Sequence, residues 1–168
     1  MNRPMNRMAL IVCCTLAAMS GAALSAEALT AKDFVTRASE AGMAEVQTGN
    51  LAVKKAAGAP ARTYGQMMVD DHGKANKELE ALAKSKGLAP AAAPGAKHKA
   101  AFDSLNGKTG ADFDAAYARQ MVADHQEAVA LFTQASALPD KDLAGFASKT
   151  LPTLKHHLEE AQKLDKTH

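Results

Sequence analysis

An all-α fold, a single antiparallel four-helix bundle, is predicted by three features of the sequence. Beyond the first 26 residues the chain is rich in Ala, Leu, Lys, Glu, Gln and Met, all good helix formers. The same region has no Trp and no run of alternating β-branched residues. Apolar residues recur there at alternating spacings of three and four over four long stretches, the pattern of helices with one buried face.

The elements follow in order. Thr30, with Asp33 three residues on, is an N-cap signal for a first helix over about Asp33–Ala57. Gly58-Ala59-Pro60 breaks the chain, and the proline suits a first helical turn. A second helix over about Ala61–Lys86 closes on Gly87, a natural C-cap. Residues 88–110 form a linker that opens on a Pro/Ala stretch and carries a short helix at Lys97–Leu105. A third long helix spans about Ala111–Ala137. Leu138-Pro139-Asp140 turns the chain, and Asp140 caps a fourth over about Lys141–Asp165. Pro152 falls inside it and is expected to kink or split it. The short connections make two antiparallel hairpins, about 33–87 and 111–165, joined by the linker.

The N-terminus reads as an export signal. Arg3 and Arg7 precede an apolar run from Met8 to Met19, and small residues follow. The run is too short to span a membrane comfortably, so cleavage after Ala26 is expected, with Ala28 as the second site. The domain is then 27–168, in the periplasm or associated with the outer envelope, with no transmembrane helix in the mature chain. Both cysteines, Cys13 and Cys14, leave with the signal, which excludes disulfides and thiolate chemistry. Losing Arg3 and Arg7 also balances the basic and acidic residues, so the charge points to no nucleic-acid partner. A partner in the envelope is open, and its identity is unknown.

An internal repeat marks the core. YGQMMVDDHGKANKEL from Tyr64 and YARQMVADHQEAVALF from Tyr117 share Tyr, Met, Val, Asp and His in register. Each repeat puts a histidine, His72 or His125, at the middle of an apolar stripe. The stripe of the first helix centres on Glu45, and that of the fourth contains His157 about one turn past mid-helix. Glu45, His72, His125 and His157 are therefore expected to converge at one height. Asp71 and Asp124, beside two of the histidines, could orient imidazole N–H groups. Imidazole and carboxylate ligands on facing helices suit one transition metal: zinc, copper, nickel or non-haem iron. The competing reading is a buried polar network that fixes helix register without metal.

The segments FVTRASEAGMAEVQTGNLA, QMMVDDHGKANKELEALA, FDAAYARQMVADHQEAVALF and LPTLKHHLEEAQKL resemble the exported bacterial proteins of domain-of-unknown-function family 4142. The resemblance covers nearly all of the mature chain, and Glu45, Asp71-His72, Asp124-His125, Pro152 and His157 match. It implies a ferritin-like four-helix fold in the envelope and no established activity. Ferritin-like di-iron sites use Glu-x-x-His pairs on two helices. Here Val69 and Leu154 stand three residues before His72 and His157, where neither can ligate. The site is rich in histidine and poor in carboxylate, which argues against di-iron oxygen chemistry. No catalytic residue is assigned. Two functions stay open: a metal-binding bundle, and a structural or stress-related interaction module with a polar core.

Overall fold

The computed structural model describes residues 28–167, so the expected signal peptide lies outside the described residues. Five helices follow in order: α1 Ala31–Lys55, α2 Ala59–Ser85, α3 Ala96–Asn106, α4 Gly110–Ala135 and α5 Lys141–Asp165. The four long ones are those expected, and α3 is the short linker helix. The described residues hold no strand; an isolated bridge joins Ala56 to Gly110. No described helix is long and apolar enough to cross a membrane.

The boundaries follow from local chemistry. Thr30 accepts a hydrogen bond from the Asp33 amide at the start of α1. Asp140 does the same for the amides of Asp142 and Leu143 at the start of α5. Gly87 ends α2 with φ +66°, the left-handed region that favours glycine. There Leu88 N–H reaches Ala83 O at 2.9 Å and Gly87 N–H reaches Lys84 O at 3.2 Å, which together satisfy two end carbonyls. Pro152 does not split α5, which runs unbroken through it. The proline is exposed, so the backbone bond it forfeits lies on the solvated face.

Two contacts set the topology. The bridge between Ala56 and Gly110 ties the end of α1 to the start of α4. At the opposite, lower end, Phe34 of α1 meets Phe132 of α4 and Phe146 of α5. Helices α1 and α5 therefore run up, and α2 and α4 run down. One long crossover carries the chain from the bottom of α2 to the top of α4. A single crossover of this kind is the ferritin-like connection. It is tied down on its way: Ala91 N–H donates to Ser39 Oγ at 2.8 Å, and Lys97 pairs with Glu127. Helix α3 then runs up beside α1 and α4, where Lys55 donates to the Asn106 carbonyl.

The core has two apolar halves. The lower holds Phe34, Leu79, Phe132, Leu143, Phe146 and Leu154. The upper holds Ala52, Tyr64, Met68, Phe113, Tyr117 and Met121. In the upper half α1 and α2 approach closely at Gly49 and Gly65. A Cβ on Gly49 would sit 2.7 Å from Gly65 O, and one on Gly65 would sit 2.8 Å from Gly49 O. Any side chain at either position would push the pair apart. That contact fixes the height at which α1 presents Glu45 opposite α2.

Candidate metal centre

Between the two apolar halves three imidazoles meet. His72 of α2, His125 of α4 and His157 of α5 have ring centroids 5.5, 5.4 and 5.3 Å apart, pair by pair. All three are buried, at 8%, 0% and 1% exposure. His157, about one turn past mid-helix, joins the triangle as expected. The reason is helix direction. Cα–Cβ bonds lean toward the helix N-terminus. Helix α5 runs opposite to α2 and α4, so its side chain leans back toward theirs.

One nitrogen from each ring lies within 4.8 Å of the other two. Hydrogen-bond partners identify which. His125 Nδ1–H donates to Met121 O at 2.9 Å, leaving Nε2 with its lone pair. His157 Nε2–H donates to Asp71 Oδ2 at 3.1 Å, leaving Nδ1, which is buried without a partner. His72 Nε2 faces His125 Nε2 at 3.4 Å. A tetrahedral ion with metal–nitrogen bonds of 2.0–2.1 Å has ligand atoms about 3.3–3.4 Å apart. The His72–His125 pair already has that separation. Two of the rings are held by a carbonyl and a carboxylate, the outer partners that orient metal-bound histidine.

Protonation favours ligation as well. Burial holds the His72 imidazole well below its ordinary pKa, helped by repulsion from His125 and His157. Burial also lowers His125, to about 4, against the opposing effect of its bond to Met121. Burial lowers His157 too, while the Asp71 hydrogen bond works against it. At neutral pH all three rings are neutral, the form that binds metal.

The other expected residues are placed differently. Glu45 is buried at 5% exposure, but the compact group is the three histidines and does not include it. Its Oε2 has no hydrogen-bond partner. Burial, and then the nearby Asp124, push its carboxyl well above the usual carboxylate range. The stripe position gave the face and height of Glu45; the reach of a flexible side chain is not written in spacing. Asp71 does bond an imidazole, that of His157 rather than of its neighbour His72. Asp124 was expected to orient a ring, and instead Met121 O takes the His125 proton. Asp124 is half-buried and lines a cavity of about 360 Å³ together with Glu45 and His72.

Two tyrosines complete the layer above. Tyr64 hydroxyl donates to His157 O at 3.0 Å, pinning α5 where the imidazole projects. Tyr117 is fully buried and its hydroxyl has no partner. Burial raises both phenols, and the Glu45 charge raises them further. Their place in the repeat, at equal distance before His72 and His125, was the sequence signal for them. Asp114 had no such signal. It is 2% exposed and accepts from the amides of Ala57 at 3.0 Å and Gly58 at 2.7 Å, holding the α1–α2 turn.

The model of a family described as "Domain of unknown function (DUF4142)" matches residues 15–164, and the chain belongs to that family. Neither the curated proteins nor the solved structures include a match to it.

Proposed function

We propose that this DUF4142 member binds one transition-metal ion through His72, His125 and His157, as an exported protein of the bacterial envelope. The observation that carries this reading is the convergence of three neutral ring nitrogens, two of them on rings already held by Met121 O and Asp71. Three imidazoles make a site of borderline softness, suited to zinc, copper, nickel or iron, with copper bound most tightly by the usual order of affinities. The signal-like layout of residues 1–26 supports export.

The network reading has one observation in its favour. Without metal, His72 Nε2–H can donate to His125 Nε2 across 3.4 Å. A network built for its own sake would satisfy its buried atoms. This layer instead leaves His157 Nδ1 and Glu45 Oε2 without partners. That imbalance favours the metal.

The test is a melting curve of untagged protein with chelator, then with zinc or copper added. A ligand at a hundred times its Kd should stabilise the fold by about 2.7 kcal/mol, through mass action. His125→Ala should abolish that gain. If neither metal moves the transition at concentrations far above micromolar, the polar network is the better reading. Fractionation of cells, with mass spectrometry of the N-terminus, tests export; a chain that keeps Cys13 would overturn it.

A further inference from the structure

The three histidines are closed off from solvent, so an ion needs a route to them. Two cavities merit comparison. One, of about 750 Å³, is lined by Tyr64, Met67, His156 and Glu160 and touches none of the three ligands. The other, of about 360 Å³, has His72 and Glu45 in its wall. Its remaining polar lining includes Asp124, Glu40 and Glu127. The sequence of burial along this wall is graded. Glu45 is 5% exposed, Asp124 is half-buried, and the Glu127 side chain is 61% exposed. Carboxyl groups thus line the cavity from solvent to the buried imidazole of His72, with Arg37 and Lys97 as the cationic groups in the same wall.

The outer end is covered by the crossover. Gly95, Ala96, Lys97 and His98 form part of the lining. Lys97 pairs with Glu127 across the mouth, and Gly95 lies against Glu40. The cover is held by an exposed charge pair that water and salt weaken readily. Asp71 does not line this cavity, and its Oδ2 is taken up by His157 Nε2–H.

We propose that this cavity is the port through which a divalent cation reaches the three histidines, with Asp124 and Glu45 as successive carboxyl contacts on the way and residues 95–98 as its cover. The orphaned Oε2 of Glu45, buried in the wall beside His72, is the contact nearest the ligands. The proposal rests on the metal reading above. It explains why a carboxylate sits in the ligand layer without joining the ligands.

The experiment is stopped-flow uptake of Co²⁺ by the metal-free full-length domain, followed by visible absorption, alongside equilibrium titration with the same ion. Ala128→Leu and Ala41→Leu narrow the cavity at positions that are not themselves ligands. Each should slow uptake and release together, at least tenfold, and leave the equilibrium Kd within a few-fold. Asp124→Asn and Glu45→Gln should slow uptake by a similar factor. Were Glu45 a ligand instead, Glu45→Gln would speed release, and that result would overturn its assigned role. Lys97→Ala should speed uptake by freeing the cover. If the two leucine variants take up cobalt at the parental rate, the ion enters elsewhere and the port is wrong, while an unchanged Kd leaves the metal centre standing. If the parent binds no cobalt, zinc or copper, both readings fall.

Discussion

At the lower end of the bundle Phe34, Phe132 and Phe146 meet with ring centroids 5.2, 6.4 and 6.0 Å apart. Higher in the same core His72, His125 and His157 meet at almost the same spacing. Helices α4 and α5 contribute to both triangles. The packing geometry is alike, and the chemical demands are opposite. Three phenyl rings are satisfied by contact alone, and burial is their gain. Three imidazoles lose hydration on burial and recover only part of it: one ring bonds Met121 O, another Asp71, and His157 Nδ1 bonds nothing. Where contact completes the layer, the layer is there to fold. Where it leaves a lone pair aimed at its neighbours, the layer asks for something more.

The strongest way to sharpen that contrast is to empty the lower triangle. Phe34 is fully buried against Phe132 and Phe146. Phe34→Ala should cost about 3–5 kcal/mol, from lost transfer energy plus the cavity left behind. The loss should be the same with chelator or with metal, and nearly flat between pH 5 and 8. Urea unfolding with and without zinc measures it. A loss that varied with metal would mean the two layers are coupled rather than separate.

The upper triangle should instead show its character in pH. In the unfolded chain an imidazole protonates near 6.5, whereas folded His125 holds out to about 4. Between those values the unfolded state binds more protons, so stability falls as pH drops. For His125 alone the loss from pH 6.5 to about 4 is about 3 kcal/mol. His72 and His157 are lowered too and add to it in the same direction. Glu45 acts oppositely. Its raised carboxyl contributes stability below its ordinary 4.5 that is lost as pH rises through the folded value. Unfolding of metal-free protein across this range should therefore steepen on the acid side, and His125→Leu should flatten it. An acid limb unchanged in His125→Leu would show that the ring is not buried neutral.

The same contrast explains what could be read from the sequence. The lower layer was legible because apolar spacing fixes face and height, and contact needs nothing finer. The histidines were legible for the same reason, as stripe positions on three helices. Glu45 shows the limit: its stripe position set its layer, but not whether its carboxyl would reach the rings. Met121 shows another, since a backbone carbonyl takes the His125 proton and leaves no mark in residue type. Asp114 shows a third. It pairs with the turn at Ala57 and Gly58, far away in the chain, and no local pattern announces such a contact.

Asp114 also extends the comparison to the top of the bundle, where a buried polar group is fully used. Removing its carboxylate in Asp114→Ala leaves two amides without partners, at a cost of about 1–3 kcal/mol. Asp114→Asn keeps an acceptor and should recover part of the loss. Neither change should alter metal binding. Hydrogen exchange at Ala57 and Gly58 reports the release of the turn directly. If those amides stay protected in Asp114→Ala, the α1–α2 turn is held by other contacts, such as Arg62 to the carbonyls of Ala56 and Ala57.

The smallest expected effect separates a group that serves the fold from one that waits on the site. Tyr117 stacks on Phe113 at 6.0 Å and meets Tyr64 edge-on at 6.0 Å, so its ring packs as the lower phenyl rings do. Its hydroxyl, unlike theirs, is a buried polar atom with no partner. Tyr117→Phe removes that burden and keeps the ring. In metal-free protein the change should be neutral or stabilising by up to about 1 kcal/mol. If the hydroxyl finds a partner once the site is loaded, the same variant should be destabilised relative to the parent with zinc bound. Melting curves of both proteins, with chelator and with zinc, give the four values needed. A loss of more than about 1 kcal/mol without metal would mean the hydroxyl is already bonded, and Glu45, whose charge reaches this phenol, would be the partner to test. A double-mutant cycle of Tyr117→Phe with Glu45→Gln would then measure that bond as a coupling energy.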